Sequence, residues 1–295
     1  MRKTLATVAL AIAAAQAAPI GAQEVEPRGF PIETNLKAGA AGVDITPEKP
    51  TFAYGHPRAV KGVRDPIRAH VLILDDGKTR AAVVTLDLLA AWDGMVAKVR
   101  DAVASRAGVP RENIMVAVSH NHSGPDFEKQ PDWASAMQAK LAGAAEEASR
   151  DMVPVSIGYG EDAIGFNINR RKVYNGKAVV SLNPAGPNDQ RVKVLRLDDG
   201  SSLTPKAVIM HAVCHPCCFT WGDNATKPHP EGYPLMSADF PGEARRLVEA
   251  VYGGRTHAMF LQGCAGDIRP NLKGEPYRCA DEADIQWAGR DLGAR

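Results

Sequence analysis

The sequence lacks any strong imbalance of charge. It has 35 basic and 34 acidic side chains among 295 residues, so its formal net charge is only +1. Proteins that bind nucleic acid through the phosphate backbone need clustered lysines and arginines, and no run of this kind occurs here. The composition therefore argues against a nucleic-acid-binding protein and is that of an ordinary globular chain.

The sequence also lacks an apolar run long enough to span a bilayer, which takes about 20 residues. Its longest apolar stretch, residues 5–18, follows the basic residues Arg2 and Lys3 and precedes small residues at 19–22. This order is typical of a signal peptide, and an ordinary N-terminal helix is the alternative. We therefore expect a signal peptide at residues 1–22 and a secreted or periplasmic protein with no transmembrane segment.

Cysteine is scarce, with five residues in all, and this odd number leaves at least one thiol unpaired. Cys214, Cys217 and Cys218 lie close together, and Cys264 lies further along the chain. The C-x-x-C spacing is compatible with thiol redox chemistry, but Pro216 and the residues after it do not resemble the start of a helix. Buried thiols or a structural disulfide are the alternatives.

Two segments of the chain resemble each other. Each contains two strand-like runs that meet at an Asp-Asp-Gly turn, which predicts a β-hairpin, then a helical pattern and a further strand. The corresponding ranges are 68–86, 94–108 and 113–118 in the first segment, and 191–210, 241–252 and 257–261 in the second. A helix at 133–150 and a strand at 153–158 are predicted between them. We therefore predict an α/β fold with mixed β-sheets, outer helices and two similar strand-strand-helix-strand halves.

Ionisable side chains follow the ends of the predicted strands. His120 and His122 come directly after the strand at 113–118, and His215 follows the second hairpin. Ligands in α/β folds gather beyond the C-terminal ends of strands, so we expect the active site there. Neutral imidazole is a good zinc ligand, and a catalytic zinc usually takes three protein ligands. The histidines form a candidate zinc site that a carboxylate would complete; a polar loop with satisfied histidines is the alternative.

Several short motifs together resemble those of one protein family, although each is weak by itself. They are the segments 38–47, 62–66, 86–89, 119–125, 169–170, 215–216, 237–242 and 266–271. In this order they are similar to motifs of the neutral/alkaline, non-lysosomal ceramidases, in the N-terminal catalytic domain. We therefore expect residues 36–295 to form a domain of this kind.

The resemblance implies a zinc-dependent amidase that hydrolyses the N-acyl bond of ceramide-like lipids to a sphingoid base and a fatty acid. It implies that His120 and His215 are zinc ligands and that His122 and Arg170 line the active site. His122 is then the candidate for proton transfer to the leaving amine, and Arg170 the candidate for stabilising the oxyanion. For Arg170, a structural ion pair is the alternative.

Three aspartates near the motifs are candidates to orient a ligand imidazole by accepting its second N–H. They are Asp87, Asp239 and Asp267, and of these Asp267 is the candidate catalytic residue. Loop capping through the carboxylate is the alternative role, particularly for Asp239.

Two features depart from the family pattern. Arg269 stands where the family has an active-site serine, which indicates a different substrate or a change in mechanism. The family's remaining zinc ligands, a Glu and a Tyr, come from further along the chain, whereas this sequence ends at Arg295 within a predicted helix, 281–295. We therefore expect a domain truncated at its C-terminus. The alternatives are a zinc hydrolase of another amide or ester, or an inactive ceramidase-like chain.

Overall fold

The computed structural model describes residues 35–49, 60, 62–202, 204–218, 235–253, 255–271 and 282–295. The predicted signal peptide lies outside these ranges. The strands are β1 (Lys37–Asp44), β2 (Arg68–Asp75), β3 (Arg80–Leu86), β4 (Ile114–Val118), β5 (Val153–Ala163), β6 (Asn167–Asn169), β7 (Arg171–Tyr174), β8 (Lys177–Val180), β9 (Arg191–Asp199), β10 (Pro205–Ala212), β11 (His257–Gln262) and β12 (Ile268–Pro270). The α-helices are α1 (Asp93–Ala107), α2 (Pro131–Arg150), α3 (Asp239–Tyr252) and α4 (Glu282–Gly293).

The repeat predicted from the sequence is present. In the first half β2 and β3 form an antiparallel hairpin, and β4 returns parallel to β3 after α1. In the second half β9 and β10 form the hairpin, and β11 returns parallel to β10 after α3. β1 and β5 extend the two hairpins, and α2 and α4 pack on α1 and α3. Of these four elements α2, β5 and α4 were predicted, and β1 was not.

The two halves join in one eight-stranded sheet with the order β11-β10-β9-β5-β1-β2-β3-β4. The junction is narrow, since β1 and β5 pair only through Lys37 and Ala38 with Pro154 and Val153. Beyond this junction the sheet folds over, so that β11 contacts β1, β3 and β4 of the other half. The two halves of the sheet therefore face each other.

The hydrophobic residues sort into three layers, as this folded sheet requires. The inner core between the two sheet halves contains Ala38, Ala40, Leu72, Val155, Leu197, Ala207, Ile209 and Met259. Neighbouring strand residues point the other way, because side chains alternate across a strand. Those of the first half pack against α1 and α2, and those of the second against α3 and α4. The arrangement is a four-layered α/β/β/α sandwich, which confirms the predicted α/β class with outer helices.

The backbones of β1 and α2 approach each other closely at Gly39. A Cβ added at Gly39 would lie 2.0 Å from the carbonyl oxygen of Ala148 in α2. No side chain fits in this space, so glycine at this position lets the helix lie directly on the strand.

The other predicted elements agree with the structure to within a few residues, apart from β5, which continues to Ala163. Three features were missed, namely the hairpin of β7 and β8, the short antiparallel pair of β6 and β12, and the extra strand β1. No helix in the described ranges combines the length and apolar character needed to cross a bilayer.

A buried histidine on β2 gives the fold a pH dependence. His70 has no exposed surface, and neither of its ring nitrogens has a hydrogen-bond partner among the described residues. The carboxylate of Glu249 lies 3.7 Å from its Nε2 atom, and Arg68, Arg245 and Asp87 are the other charged groups that act on it. Burial lowers the pKa of His70 to about 4, so the imidazole is neutral in the folded protein at neutral pH.

We predict that stability falls as the pH drops from about 6.5 to about 4. The unfolded chain takes up a proton on His70 at its ordinary pKa, whereas the folded protein does not until about pH 4, so acid favours unfolding. The expected loss is about 3 kcal/mol. Urea unfolding at several pH values within this window, on the wild type and on His70→Leu, measures it. The variant should lose less stability, and equal losses in both proteins would refute the assignment to His70.

Candidate metal centre

The structure brings His120, His122 and His215 together, and we call these three residues the histidine cluster. His120 and His122 lie in the loop after β4, and His215 lies in the loop after β10. One nitrogen of each imidazole lies within 4.8 Å of the corresponding atoms of the other two. His215 is buried and the other two are half-buried. The cluster therefore forms where the C-terminal ends of strands from both halves meet, as predicted.

Backbone contacts fix two of the imidazoles. His120 Nδ1 lies 2.8 Å from the carbonyl oxygen of Leu89, and His215 Nδ1 lies 3.1 Å from that of Ala265. Because a carbonyl only accepts, both Nδ1 atoms carry the proton and donate it. The Nε2 atoms of His120 and His215 consequently keep their lone pairs, which is the form in which histidine binds a metal.

The third imidazole presents a proton to the cluster. His122 Nε2 lies 2.7 Å from His215 Nε2, and the latter is an acceptor because His215 carries its proton on Nδ1. His122 Nε2 must therefore donate. The backbone N–H of His122 also donates to the carbonyl of Pro216 at 3.1 Å. The two loops thus meet directly through His122.

Electrostatics keep His215 neutral. Its pKa is lowered to about 3, mainly by burial, with further contributions from the charge of Arg170 and from the neighbouring His122 and His120. A neutral imidazole is needed for metal binding. His215 is therefore in the binding-competent state across the physiological pH range.

His120 has an unusual backbone conformation. Its φ of +60° lies in the left-handed region, which few residues with a side chain adopt. Before it, the N–H of Ser119 donates to the carbonyl of Leu86 at 2.9 Å and continues the pairing of β3 with β4. After it, the fully buried Asn121 donates from Nδ2 to the carbonyl of Ser237 at 2.5 Å. Contacts on both sides therefore hold the turn that positions the imidazole.

A buried ion pair lies behind the loop that holds Leu89. Asp87 is completely buried, and its two carboxylate oxygens accept from the guanidinium of Arg245 in α3 at 2.6 and 2.5 Å. The neighbouring loop passes so close that a Cβ at Gly124 would lie 2.8 Å from the carbonyl oxygen of Asp87. The ion pair links the two halves and fixes the loop whose Leu89 carbonyl orients His120.

Arg170 lies beside the cluster. Its Nη2 atom is 3.1 Å from His215 Nδ1, but the guanidinium donates to the carbonyl of Gly266, at 3.2 Å from Nη2 and 3.3 Å from Nε. Because His215 Nδ1 is itself a donor, its contact with Arg170 is electrostatic. Arg170 thus places a fixed positive charge next to one imidazole of the cluster.

Asp267 lies next to Arg170 but makes a different contact from the one predicted for it. Its Oδ2 atom accepts from Asn169 Nδ2 at 3.0 Å, and its carbonyl accepts from the backbone N–H of Arg170 at 2.7 Å. It therefore positions the segment that carries Arg170. A catalytic role for Asp267 stays a prediction.

The other two aspartates are also engaged away from the imidazoles of His120 and His215. Asp87 pairs with Arg245, and Asp239 accepts from the N–H of Phe240 at the start of α3, at 2.7 Å. The orienting contacts predicted for the aspartates are made to His120 and His215 by backbone carbonyls.

Two cysteines near the cluster, Cys214 and Cys218, are not activated. None of the four described cysteines, Cys214, Cys217, Cys218 and Cys264, forms a disulfide with another of the four. Burial raises the pKa of Cys214 and of Cys218 well above the ordinary value. Redox chemistry needs the thiolate form, so these surroundings argue against the thiol oxidoreductase hypothesis.

Arg269 lies on β12, where it is largely buried. Its charge and that of Arg170 both act on the thiol of Cys214, the residue before His215. Arg269, at the position where the resembled family has a serine, thus places a second positive charge near Cys214.

No protein-family model and no curated protein matches this chain. Among solved structures it is similar to the neutral ceramidase of Pseudomonas aeruginosa and to a ceramidase complexed with C2, each with a TM-score of 0.69 at 20% identity over 88% of this chain. The chain spans 44% and 43% of the lengths of those two chains. The chain therefore has the fold of the neutral ceramidases, which confirms at the level of the fold the resemblance that its motifs indicated.

Proposed function

We propose that this chain carries the catalytic site of an exported, zinc-dependent amidohydrolase. It would cleave the N-acyl bond of ceramide-like lipids and release a sphingoid base and a fatty acid. The histidine cluster is the observation that carries the proposal, since it lies at the strand ends of a fold shared with neutral ceramidases. The signal peptide at 1–22 and the catalytic domain at 36–295 belong to the same proposal.

The donor set fits a zinc ion. His120 and His215 each donate from Nδ1 to a carbonyl, as zinc-ligating histidines commonly do, so Nε2 carries no proton. A zinc ion on His215 Nε2 would take the place of the hydrogen bond that His122 donates there. We propose these two as ligands. A bound zinc ion would supply Lewis-acid polarisation of the amide carbonyl and lower the pKa of a water molecule.

The remaining residues have roles that follow from their contacts. His122 holds a proton on Nε2 within the cluster, which suits it to protonate the leaving amine. Arg170 carries a positive charge 3.1 Å from His215 and would stabilise negative charge that develops on the substrate oxygen. Asp267 would keep Arg170 in place through the backbone contact between them.

The test separates the proton-transfer role of His122 from metal binding. The full-length protein should release fatty acid from an N-acylsphingosine in detergent micelles. In His122→Ala we expect about one zinc ion per chain to remain while kcat falls by about 10²- to 10⁴-fold, the usual contribution of a general acid or base. Metal analysis and a fatty-acid assay measure the two quantities on the same samples.

The control is His257→Ala, because His257 lies at the opposite end of β11 from the cluster and should leave both quantities near the wild-type values. Loss of zinc from His122→Ala would make His122 a ligand and overturn its assigned role. Absence of turnover by zinc-loaded wild type would overturn the proposed activity.

A zinc hydrolase of another amide is the second candidate, and Arg269 is the observation that favours it. Its charge acts on Cys214, the residue before His215, and it stands at the position where the resembled family has a serine. N-acyl amides with anionic head groups, compared with ceramide at equal concentration, distinguish the two. Higher kcat/KM on the anionic amides, lost in Arg269→Ser, would favour this second candidate.

A further inference from the structure

A small hairpin begins at the candidate metal centre. β7 and β8 pair only with each other among the described strands, and the turn at Asn175 and Gly176 has positive φ at both residues, as a two-residue hairpin turn requires. Arg170, which contacts His215, immediately precedes β7, and its carbonyl accepts from the N–H of Ser181 just after β8. The base of the hairpin is therefore tied to the cluster.

The rest of the hairpin is exposed, and much of it is apolar. The exposed fractions are 71% for Val173, 66% for Tyr174, 41% for Val180 and 37% for Val179. Val173 and Val180 lie on one face, and Tyr174 and Val179 on the other, because side chains alternate along each strand. Two strands without a core are only marginally stable in water, so apolar residues on both faces indicate an environment that covers the hairpin on both sides.

The positive charge of the hairpin region indicates what covers it. Residues 165–188 contain four basic side chains, Arg170, Arg171, Lys172 and Lys177, and no acidic one, although the whole chain has a net charge of only +1. Arg171 donates to the carbonyl of Gly266 at the base. Lys172 and Lys177 lie on the exposed strands, next to the valines and the tyrosine. Lysine and tyrosine side chains suit a membrane interface, where the apolar part is buried and the polar end stays in water.

We propose that the β7–β8 hairpin inserts its outer part into membranes that contain anionic phospholipids. The apolar side chains on both faces would enter the lipid, and the lysines would contact the headgroups. A lipid layer surrounds an inserted hairpin on all sides, whereas a groove on a protein would cover one face. Delivery of substrate from the membrane to the cluster rests on the proposed function; binding to the membrane does not.

Vesicle sedimentation of the full-length protein tests the proposal. The vesicles are phosphatidylcholine alone or an equimolar mixture with phosphatidylglycerol. We expect binding to the mixed vesicles, weakened at least about tenfold by Val173→Asp and by the double change Lys172→Glu, Lys177→Glu. The matched controls are Val251→Asp, at an equally exposed valine of α3, and Lys78→Glu in the turn between β2 and β3, and both should bind as the wild type does.

Equal vesicle binding by Val173→Asp and the wild type, or no binding by the wild type, would overturn the proposal. So would a lower melting temperature of Val173→Asp with unchanged vesicle binding, because the hairpin would then be covered by another part of the protein. Fatty-acid release from micelles should be unaffected by Val173→Asp. Failure of that release in the wild type, with vesicle binding intact, would instead count against the proposed function.

Discussion

The double variant His120→Ala, His215→Ala should lose its zinc and all measurable amidase activity. Each imidazole offers an Nε2 lone pair fixed by an Nδ1 contact to a carbonyl, so removal of both takes away the two proposed ligands. Changes to outer partners of metal ligands alone cost about 10- to 100-fold in affinity, and the loss here should exceed about 100-fold. Zinc content after dialysis against a weak chelator, together with fatty-acid release, measures both effects.

A second variant separates the loss of the imidazole from backbone strain at His120. Alanine at 120 would be strained at a φ of +60°, whereas asparagine tolerates this conformation. His120→Asn should therefore keep the wild-type melting temperature of the metal-free protein but still bind zinc weakly. Retention of one tightly bound zinc ion in the double variant, with His257→Ala as the control, would show that the cluster is not the metal site.

Arg245→Met should lower the free energy of unfolding by about 3–5 kcal/mol, the usual cost of removing one partner of a buried ion pair. Asp87 has no exposed surface, so its carboxylate would be left buried without the guanidinium that holds both of its oxygens. Zinc affinity should fall as well, since the same loop supplies the Leu89 carbonyl to His120. Urea unfolding and zinc titration measure the two effects.

The neighbouring Arg246 provides a matched control. It also pairs with a carboxylate, that of Glu243, but its side chain is 61% exposed, and Arg246→Met should cost no more than about 1 kcal/mol. The double change Asp87→Leu, Arg245→Met should be less destabilising than Arg245→Met alone, because no buried charge is left unpaired. Similar losses for Arg245→Met and Arg246→Met would contradict the role of the buried pair.

The repeat could be predicted from sequence because its signals are local. An Asp-Asp-Gly turn between two strand-like runs occurs in both halves, and the apolar residues of α1 recur at helical spacing. The fold-over of the sheet was not predictable, because it depends on two residue pairs between β1 and β5, which are more than a hundred residues apart. The β7–β8 hairpin could have been found from Asn175 and Gly176, but its strands are short and carry lysines.

The site was predictable in part for a similar reason. His120 and His215 follow predicted strands, and the fold class places strand ends together. The carbonyls of Leu89 and Ala265 that orient them are backbone groups, which no residue type reveals. The partner of Asp87 is Arg245, 158 residues away on a helix of the other half, and nothing local marks it. We therefore predicted that aspartate side chains orient the imidazoles, whereas in the structure backbone carbonyls orient those of His120 and His215.

Anomalous diffraction at the zinc absorption edge, from crystals of the full-length protein grown with zinc, tests the metal centre most directly. We predict one peak within the histidine cluster, in contact with the Nε2 atoms of His120 and His215. A peak at the thiols of Cys214, Cys217 and Cys218 with none at the cluster, or no protein-bound peak at all, would contradict the assignment of the zinc site.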